Sequence, residues 1–207
     1  MDWSAKRHEM VERQLRARGI RDERVLAAMA EIPREEFVPE SQRASCYADE
    51  PAPIGYGQTI SQPYMTALMA EGLELKGTET VLEVGAGCGY HTAVLGALAA
   101  RVVSIELIPE LAEMARSNLA RTGRLGNVTV IVGDGSLGWP EEAPYDAISV
   151  EAAAVEAPPA LLEQLRDPGR MVMPVGPDWD QELLVLCKAG GRITKRVAAY
   201  CRFVPLR

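Results

Sequence analysis

The sequence predicts an α/β protein built on one open, doubly wound and mostly parallel sheet. From about residue 78 onward, short aliphatic segments alternate with segments whose apolar residues recur at helical spacing, which is typical of β-α-β units joined by right-handed crossovers. The chain has 207 residues, enough for one domain with a sizeable core and too few for two. We therefore expect a single domain over 1–207, with a helical extension in 1–76 and an α/β core in 77–207.

The N-terminal extension shows helical spacing and no segment with the character of a strand. A first helix is predicted from Ala5 to Arg18, ended by Gly19 as its C-terminal cap. Asp22 is the expected N-cap of a second helix. Prolines then interrupt the pattern repeatedly until a third helix, which we expect to begin near Ser61 as N-cap with Pro63 in its first turn.

The core contains four near-continuous aliphatic segments, which suit parallel strands buried on both faces. They are residues 81–84, 102–106, 128–132 and 147–150. Predicted helices over 90–99 and 109–122 separate the first three strands. Toward the C-terminus, turns rich in Gly and Asp separate three further predicted strands, which we expect to include antiparallel neighbours: 171–175, 183–187 and 200–204.

The bulk composition excludes several functional classes. A formal net charge of −7 and a pI near 5.0 argue against a duplex nucleic-acid binder. No apolar run approaches the roughly 18 residues of a membrane span, and the N-terminus lacks the apolar region of a signal peptide. The four cysteines form no C-x-x-C pair, and two histidines cannot build a zinc site. We expect a cytoplasmic monomer with reduced thiols, no metal, and no membrane or nucleic-acid partner.

The sharpest local motif is the glycine-rich loop over residues 83–90, Glu-Val-Gly-Ala-Gly-Cys-Gly-Tyr. It lies between a predicted strand and a predicted helix, where glycines let the backbone approach a ligand closely. A dinucleotide site requires G-x-G-x-x-G, but here the third glycine is out of step because Tyr90 follows Gly89. The Gly-Lys-Ser/Thr of a P-loop is absent, so a specialised ligand loop and a purely structural turn remain as alternatives.

Two further strand ends carry suitable polar residues. Glu106 lies 21 positions after Gly85, and its carboxylate can accept both hydroxyls of a ribose in charge-assisted bonds. Asp134 can accept an adenine amino group, while Gly135 leaves room for the ring. Taken singly, Glu106 could be a solvated acid and Asp134 part of a type I turn. Three suitable strand ends together predict one convergent ligand site.

The pattern acid-x-G-x-G-x-G after the first strand resembles the first motif of the Rossmann-like, seven-stranded methyltransferases. That resemblance implies S-adenosyl-L-methionine as cofactor, with S-adenosyl-L-homocysteine as product and no metal. The residues implied to bind the cofactor are Glu83, Gly85, Ala86, Gly87, Glu106, Leu107, Asp134 and Gly135.

A second motif, Pro-Ile-Gly-Tyr-Gly-Gln-Thr-Ile-Ser-Gln-Pro-Tyr-Met over 53–65, is similar to the signature of the bacterial-type protein-L-isoaspartate O-methyltransferases. Four other segments resemble the same family, so the resemblance covers nearly the whole chain: 29–39, 135–141, 144–148 and 202–206. Departures occur at Ala52, in the Cys46–Asp49 stretch, at Ala86 and Cys88, and at His91. None of them removes a group that the chemistry requires.

The resemblance implies methyl transfer to the free carboxylate of isoaspartyl residues in damaged proteins, a repair step. It places the Ser61 hydroxyl, as the catalytic group, and the backbone of Thr59 and Ile60 at the acceptor carboxylate, with Tyr64 near the cofactor. Because a carboxylate arrives already ionised, no general base is needed, and we expect His91 to be structural or adjacent to the cofactor.

Three alternatives remain open at this stage. The first is a methyltransferase with another acceptor, such as a small molecule or an RNA base; the absence of an Asn/Asp-Pro-Pro-Tyr motif argues against amino-group methylation. The second is a binding module that retains the fold without catalysis. The third, a nicotinamide oxidoreductase, is disfavoured by the misplaced third glycine.

Overall fold

A computed structural model describes residues 2–177 and 179–207. The N-terminal extension contains three helices and a short hairpin: α1 Trp3–Met10, α2 Glu23–Glu31, β1 Ala52–Gly55, β2 Gln58–Ile60 and α3 Pro63–Gly72. The core then alternates strands and helices through β3 Thr80–Val84, α4 Tyr90–Leu98, β4 Arg101–Glu106, α5 Pro109–Arg121, β5 Val128–Val132 and β6 Tyr145–Val150. The last elements are α6 Pro159–Gln164, β7 Leu165–Val175, β8 Gln181–Ala189 and β9 Arg192–Cys201.

The core strands form one seven-stranded mixed sheet in the order β5-β4-β3-β6-β7-β8-β9. Strands β3 to β7 pair in parallel, whereas β8 pairs antiparallel with both β7 and β9. The chain therefore winds from β3 outward to β5, then crosses back to β6 on the other side of β3. This topology confirms the predicted α/β class, and its reversal of direction lies between β3 and β6.

Two apolar layers cover the two faces of the sheet. Val81 of β3 packs with the helices of the N-terminal extension, α4 and α5, whereas Leu82 packs with α6 on the opposite face. Neighbouring residues of a strand point to opposite faces, so a strand that is apolar throughout is buried between both layers. Within residues 2–177 and 179–207, no helix has both the length and the apolar character needed to cross a bilayer.

The predicted end of the first helical segment and the predicted start of the second are confirmed by their caps, whereas the first helix begins at Trp3, after Asp2 as N-cap, and not at Ala5. After α1 the chain continues as a π-helical turn and a 3-10 turn, and it ends at Gly19, whose φ of 101° is left-handed. The Asp22 carboxylate accepts from the backbone N–H groups of Arg24 at 2.8 Å and Val25 at 3.4 Å at the start of α2.

The expectation that residues 1–76 contain no strand is wrong, because β1 and β2 form an antiparallel hairpin. Its turn requires left-handed backbone at Tyr56 (φ 54°) and Gly57 (φ 72°). The two strands have only four and three residues and pair only with each other in the described chain. Such short, Pro- and Gly-containing segments lack the alternation that marks a strand in sequence.

The expectation that Ser61 caps α3 is also wrong. The helix begins at Pro63, its N-cap is Gln62, and no side chain of the N-cap bonds to the helix. Instead, the Asp49 carboxylate accepts from the Tyr64 backbone N–H at 3.2 Å. Asp49, from an earlier loop, therefore binds the free N–H at the start of α3 in place of Ser61. The Ser61 hydroxyl is left for other contacts.

The last strand also differs from the prediction of residues 200–204, since β9 spans Arg192–Cys201. Gly190 and Gly191, with φ of 59° and 73°, form the two-residue turn of a hairpin between β8 and β9. Strand β9 therefore begins directly after this turn. Most of β9 is exposed, because it is the edge strand of the sheet. Its side chains therefore lack the apolar pattern on which the prediction relied.

Candidate functional site

The carboxyl ends of β3, β4 and β6 and the loop after β5 meet at one cavity, which we call the first cavity. Its walls come from the glycine-rich loop, the end of β4 and the segment after β2, and the C-terminal residues close it. Most predicted site residues lie in this wall: Thr59, Ile60, Ser61, Gly85, Ala86, Gly87, Glu106, Leu107 and Gly135. Convergence at the edge where a doubly wound sheet reverses is the usual location of a ligand site.

The glycine-rich loop is bent tightly over the end of β3. Gly85 donates its N–H to the Ile105 carbonyl at 2.7 Å, and left-handed φ values of 95°, 54° and 88° at Gly85, Gly87 and Gly89 turn the chain into α4. A Cβ on Gly89 would lie 3.2 Å from the Ala115 backbone. Glycine is therefore required there for conformation and for the close packing of α4 on α5.

Glu106 joins this loop to the end of β4. Its carboxylate accepts from the Gly87 N–H at 2.8 Å and from the Ile108 N–H at 3.0 Å, and the residue is only 6% exposed. A carboxylate has about four acceptor positions, so two remain for groups in the cavity. The structure thus gives Glu106 a role that the sequence did not indicate, as a clamp on the loop.

The third strand end is divided between the cavity and the surface. Gly135 lines the cavity, and a Cβ there would overlap Val84 Cγ1. Asp134 lies at the surface outside the cavity wall, where its Oδ1 accepts from the Ser136 N–H at 2.9 Å and the Ser136 hydroxyl at 2.7 Å. Oδ2 makes no hydrogen bond within the described chain, so it can accept a further donor at the rim.

Glu83 lies beneath the loop and outside the cavity wall. The residue is fully buried, and its Oε2 accepts from the hydroxyls of Thr92, at 2.5 Å, and Ser104. Oε1 makes no hydrogen bond within the described chain. Glu83 therefore belongs to the protein core, and its burial raises the pKa of the carboxyl to about 7.

A second cavity adjoins the first at the predicted acceptor motif. Arg18, Tyr64, Tyr200 and Arg202 line it, and the two cavities share Thr59, Ser61, Glu151 and Val204. Tyr64, which we predicted near the cofactor, lies in this second cavity, and the Arg18 guanidinium stacks 3.6 Å from its ring centroid. Ser61 stands at the junction, with its hydroxyl 3.5 Å from Glu151 Oε2.

Sequence reasoning missed several residues of the site. Glu151 follows β6, and the chain from Val204 onward runs beside it, with the Ala153 N–H donating to the Val204 carbonyl at 2.8 Å. Arg34 is fully buried and donates from Nη2 to the Ser61 carbonyl at 2.7 Å, which fixes the loop that carries Ser61. Only the position of Glu151, at the end of a parallel strand, could have indicated it from sequence.

Burial determines the charge state of the groups around this junction. It raises the pKa of the Glu151 carboxyl to about 7 and lowers the pKa of His91. The two side chains approach to 3.4 Å, between His91 Nδ1 and Glu151 Oε1, but a neutral imidazole makes this a polar contact and not an ion pair. Burial also raises the pKa of the Cys88 thiol to about 11, so Cys88 is not a thiolate nucleophile near neutral pH.

The first cavity fits an adenosyl cofactor. Glu106 offers acceptors for hydroxyl groups, the glycine loop permits close approach, and Gly135 leaves space where a side chain would clash. Among the described residues, no group of three or more His, Cys, Asp or Glu side chains is placed to hold a metal ion. The seven-stranded sheet and this cavity define a class I S-adenosylmethionine-dependent methyltransferase.

Comparison with known proteins identifies the family within this class. The family model for protein-L-isoaspartate(D-aspartate) O-methyltransferase matches residues 5–207, and the chain belongs to this family. The protein-L-isoaspartate O-methyltransferase of Methanoculleus marisnigri is 55% identical over 201 residues, which cover 97% of this chain and 90% of that relative.

Solved structures agree with this assignment. One protein-L-isoaspartate O-methyltransferase superposes with a TM-score of 0.86 at 32% identity over 96% of this chain and 65% of the other, so this chain spans slightly less than two thirds of that longer one. A Plasmodium falciparum structure, described as a candidate protein-L-isoaspartate O-methyltransferase in complex with S-adenosyl-L-homocysteine, gives 0.85 at 27% identity, covering 97% of this chain and 98% of that one.

Proposed function

We propose that this chain transfers the methyl group of S-adenosylmethionine to the free carboxylate of isoaspartyl residues in damaged proteins and peptides. One observation carries the proposal beyond family membership. The cavity that fits the cofactor shares the wall residues Thr59, Ser61 and Glu151 with a second cavity, so the second cavity offers a place for a peptide beside the cofactor. The two ligands would then meet at the Ser61 hydroxyl.

In the first cavity, the adenosyl group would be held mainly by Glu106 and the loop backbone. The acceptor positions left on Glu106 would take the two ribose hydroxyls, and Leu107 and Gly135 would flank the adenine. Asp134 Oδ2, at the rim, would take the adenine amino group. Glu83 would act indirectly, because it lies under the loop and ties α4 to β4 through Thr92 and Ser104.

The acceptor carboxylate would lie at the junction of the cavities, against the Ser61 hydroxyl and the backbone of Thr59 and Ile60. Ser61 is available for this role because Gln62 and Asp49 complete the start of α3. The Arg34 side chain holds the Ser61 carbonyl and packs 4.8 Å from the Tyr90 ring centroid. These contacts of Arg34 fix the backbone position of Ser61 before a substrate binds.

The chemistry requires alignment more than proton transfer. Bound S-adenosylmethionine supplies a methyl group on a positively charged sulfur, which an ionised carboxylate can attack directly. The residues of the chain would hold the carboxylate oxygen in line with that methyl group and exclude water. Such positioning can contribute roughly 7–11 kcal/mol to lowering a barrier. In the ester product, the following backbone nitrogen can expel methanol to form a succinimide without the enzyme.

The direct test is methyl transfer from labelled S-adenosylmethionine to two peptides that differ only in one L-isoaspartyl or L-aspartyl linkage. We expect base-labile label on the isoaspartyl peptide alone. Ser61→Ala should reduce this transfer, whereas Ser117→Ala, at an exposed position of α5, should not. Label on neither peptide with intact cofactor binding would refute the acceptor and favour another substrate or a binding module.

The predicted cytoplasmic location, the monomeric state and the absence of nucleic-acid and membrane partners remain predictions. The prediction of one domain, with an extension in 1–76 and a core in 77–207, also remains a prediction. One set of packed helices joins both parts, since α2 and α3 of the extension lie in the same apolar layer as α4 and α5 of the core. This shared layer supports cooperative folding of the whole chain, which unfolding monitored by two spectroscopic probes would test through coincident transitions.

A further inference from the structure

Glu151 occupies the junction between the two cavities in a fixed geometry. Its N–H donates to the Val84 carbonyl at 2.8 Å, which continues the pairing of β6 with β3. A Cβ built on Gly85 would lie 3.3 Å from the Glu151 Cβ, so the glycine loop packs against this residue. The side chain is 10% exposed and lines both cavities. It is therefore next to any pair of ligands that meet at Ser61.

A chain of polar side chains runs from His91 through Ser149 and Glu151 to Ser61. Ser149 Oγ lies 3.2 Å from Glu151 Oε1 and 3.4 Å from His91 Nε2. On the other side, Ser61 Oγ lies 3.5 Å from Glu151 Oε2. His91 Nδ1 makes no hydrogen bond within the described chain. A neutral His91 protonated on Nε2 would donate to Ser149, and Ser149 would donate to Oε1.

The protonation state of Glu151 decides where the Ser61 hydroxyl can donate. A hydroxyl has one hydrogen to donate. If Glu151 is ionised, Ser61 donates to Oε2, and an acceptor carboxylate would meet a buried negative charge and no donor from Ser61. If Oε2 carries a proton, Glu151 donates to Ser61 Oγ, and the Ser61 hydrogen is free to point at the acceptor carboxylate.

We propose that Glu151 is a positioning residue that acts as a neutral acid, donating to Ser61 so that the Ser61 hydroxyl donates to the acceptor carboxylate. This inference rests on the proposed function. It adds a pH-dependent element to acceptor binding, because the chain His91–Ser149–Glu151–Ser61 ends at the hydroxyl that would meet the acceptor.

The surroundings of Glu151 favour its neutral form. Burial raises the pKa of the Glu151 carboxyl to about 7 and lowers the pKa of His91, so His91 supplies no compensating cation. The Glu83 carboxyl lies under the loop, and its interaction with Glu151 disfavours having both groups ionised. A bound acceptor carboxylate would disfavour ionisation of Glu151 and would offset the opposite effect of the positively charged sulfur of bound S-adenosylmethionine.

The positive groups of the cavity walls are engaged elsewhere or lie at the rim. Arg18 forms an ion pair with Asp49, Arg202 stacks on the Trp179 ring at 4.6 Å, and Arg207 lies at the C-terminal end of the first cavity. The remaining titratable side chains of the two walls are the phenols and thiols of Tyr64, Cys88, Tyr90, Tyr200 and Cys201.

The test is the pH profile of kcat/KM for an isoaspartyl peptide without other titratable groups, at saturating S-adenosylmethionine. The peptide carboxylate stays ionised near neutral pH, so it does not contribute. We expect kcat/KM of the unmodified protein to fall about tenfold per pH unit above the apparent pKa of Glu151, mainly through KM. Cofactor affinity, measured by calorimetry, should not fall over the same pH range.

Glu151→Gln tests the assignment, because the amide can donate to Ser61 at every pH. We expect this variant to keep kcat/KM within a few fold of the acid plateau and to lose the alkaline fall. Glu141→Gln, at an exposed position, should retain the full profile. An unchanged fall in Glu151→Gln would overturn the proposal, as would a flat profile in the unmodified protein.

A spectroscopic measurement keeps the proposal testable if Glu151→Gln does not fold. An infrared pH titration of the protein carrying Glu83→Gln, which removes the other carboxyl whose pKa burial raises to about 7, should show one protonated carboxyl that ionises near neutral pH. Absence of that band would overturn the proposal. Failure of methyl transfer to the isoaspartyl peptide at every pH, with the band present, would instead overturn the proposed function.

Discussion

Replacing the buried acid Glu83 by glutamine is expected to stabilise the protein at alkaline pH and to have little effect at acid pH. Glu83 is fully buried, and both donors to it, the hydroxyls of Thr92 and Ser104, bind the same oxygen. The amide oxygen of glutamine can accept both of these bonds, so the substitution removes the titratable charge and keeps the shape. The variant thereby isolates the cost of a buried carboxylate.

The magnitude follows from the displaced pKa. Burial raises the pKa of Glu83 from 4.5 to about 7, so between these values the folded state holds a proton that the unfolded state has lost. The free energy of unfolding of the unmodified protein must therefore fall as the pH rises through this window. Each pKa unit corresponds to about 1.4 kcal/mol, which gives a total near 3 kcal/mol. Glutamine does not titrate and avoids this loss.

Equilibrium urea unfolding at about pH 5 and about pH 8.5 would measure the effect as a difference in the free energy of unfolding between variant and unmodified protein. We expect this difference to be small at the acid pH and to favour the variant by about 3 kcal/mol at the alkaline pH. The exposed variant Glu141→Gln serves as the control and should show no such divergence. A difference that is independent of pH, or that favours the unmodified protein at alkaline pH, would refute the reasoning.

Three further substitutions test the site. Glu106→Ala should weaken S-adenosylmethionine binding by roughly 1.5–3 kcal/mol through loss of a charged acceptor; unchanged affinity by calorimetry would remove the ribose assignment. Ser61→Ala should lower methyl transfer more than cofactor affinity, because the hydroxyl faces the acceptor; equal losses in both quantities would contradict this. Gly135→Ala should lower the free energy of unfolding, measured in the same urea assay, by about 1–3 kcal/mol, because the new Cβ would overlap Val84. Gly133→Ala is the control and should be tolerated, because the nearest atom to a Cβ there is 3.6 Å away.

The parts of the fold that could be predicted from sequence are those in which one segment carries its own signal. The strand that precedes the glycine loop carries Val81, Leu82 and Val84 on its two covered faces. Asp22 was recognised as a cap because it bonds to N–H groups two and three residues away. In such cases the residues that determine the structure lie within a few positions of each other.

The failures occurred where a partner distant in sequence determines the structure. Asp49 completes the start of α3 from a separate loop, so the local argument for Ser61 as a cap had no means of detecting the competitor. Strand β9 is held by pairing with β8 along its length, and its exposed face leaves little pattern to read. The double glycine at 190–191 was the one local indication of that hairpin.

The acceptor end of the site illustrates the same limit in its chemistry. Ser61 and Glu151 lie 90 positions apart, and Ser149 and His91 lie 58 apart. Sequence alone gives each of these residues an ordinary interpretation, because a glutamate after a strand is usually solvated and a lone histidine is usually structural. Burial at the junction of two cavities changes that interpretation: it removes the water that would keep Glu151 ionised and leaves His91 without a charge to offset it. The functional property, a carboxyl group able to donate near neutral pH, therefore arises only when β3, β6, α4 and the loop before α3 are packed together.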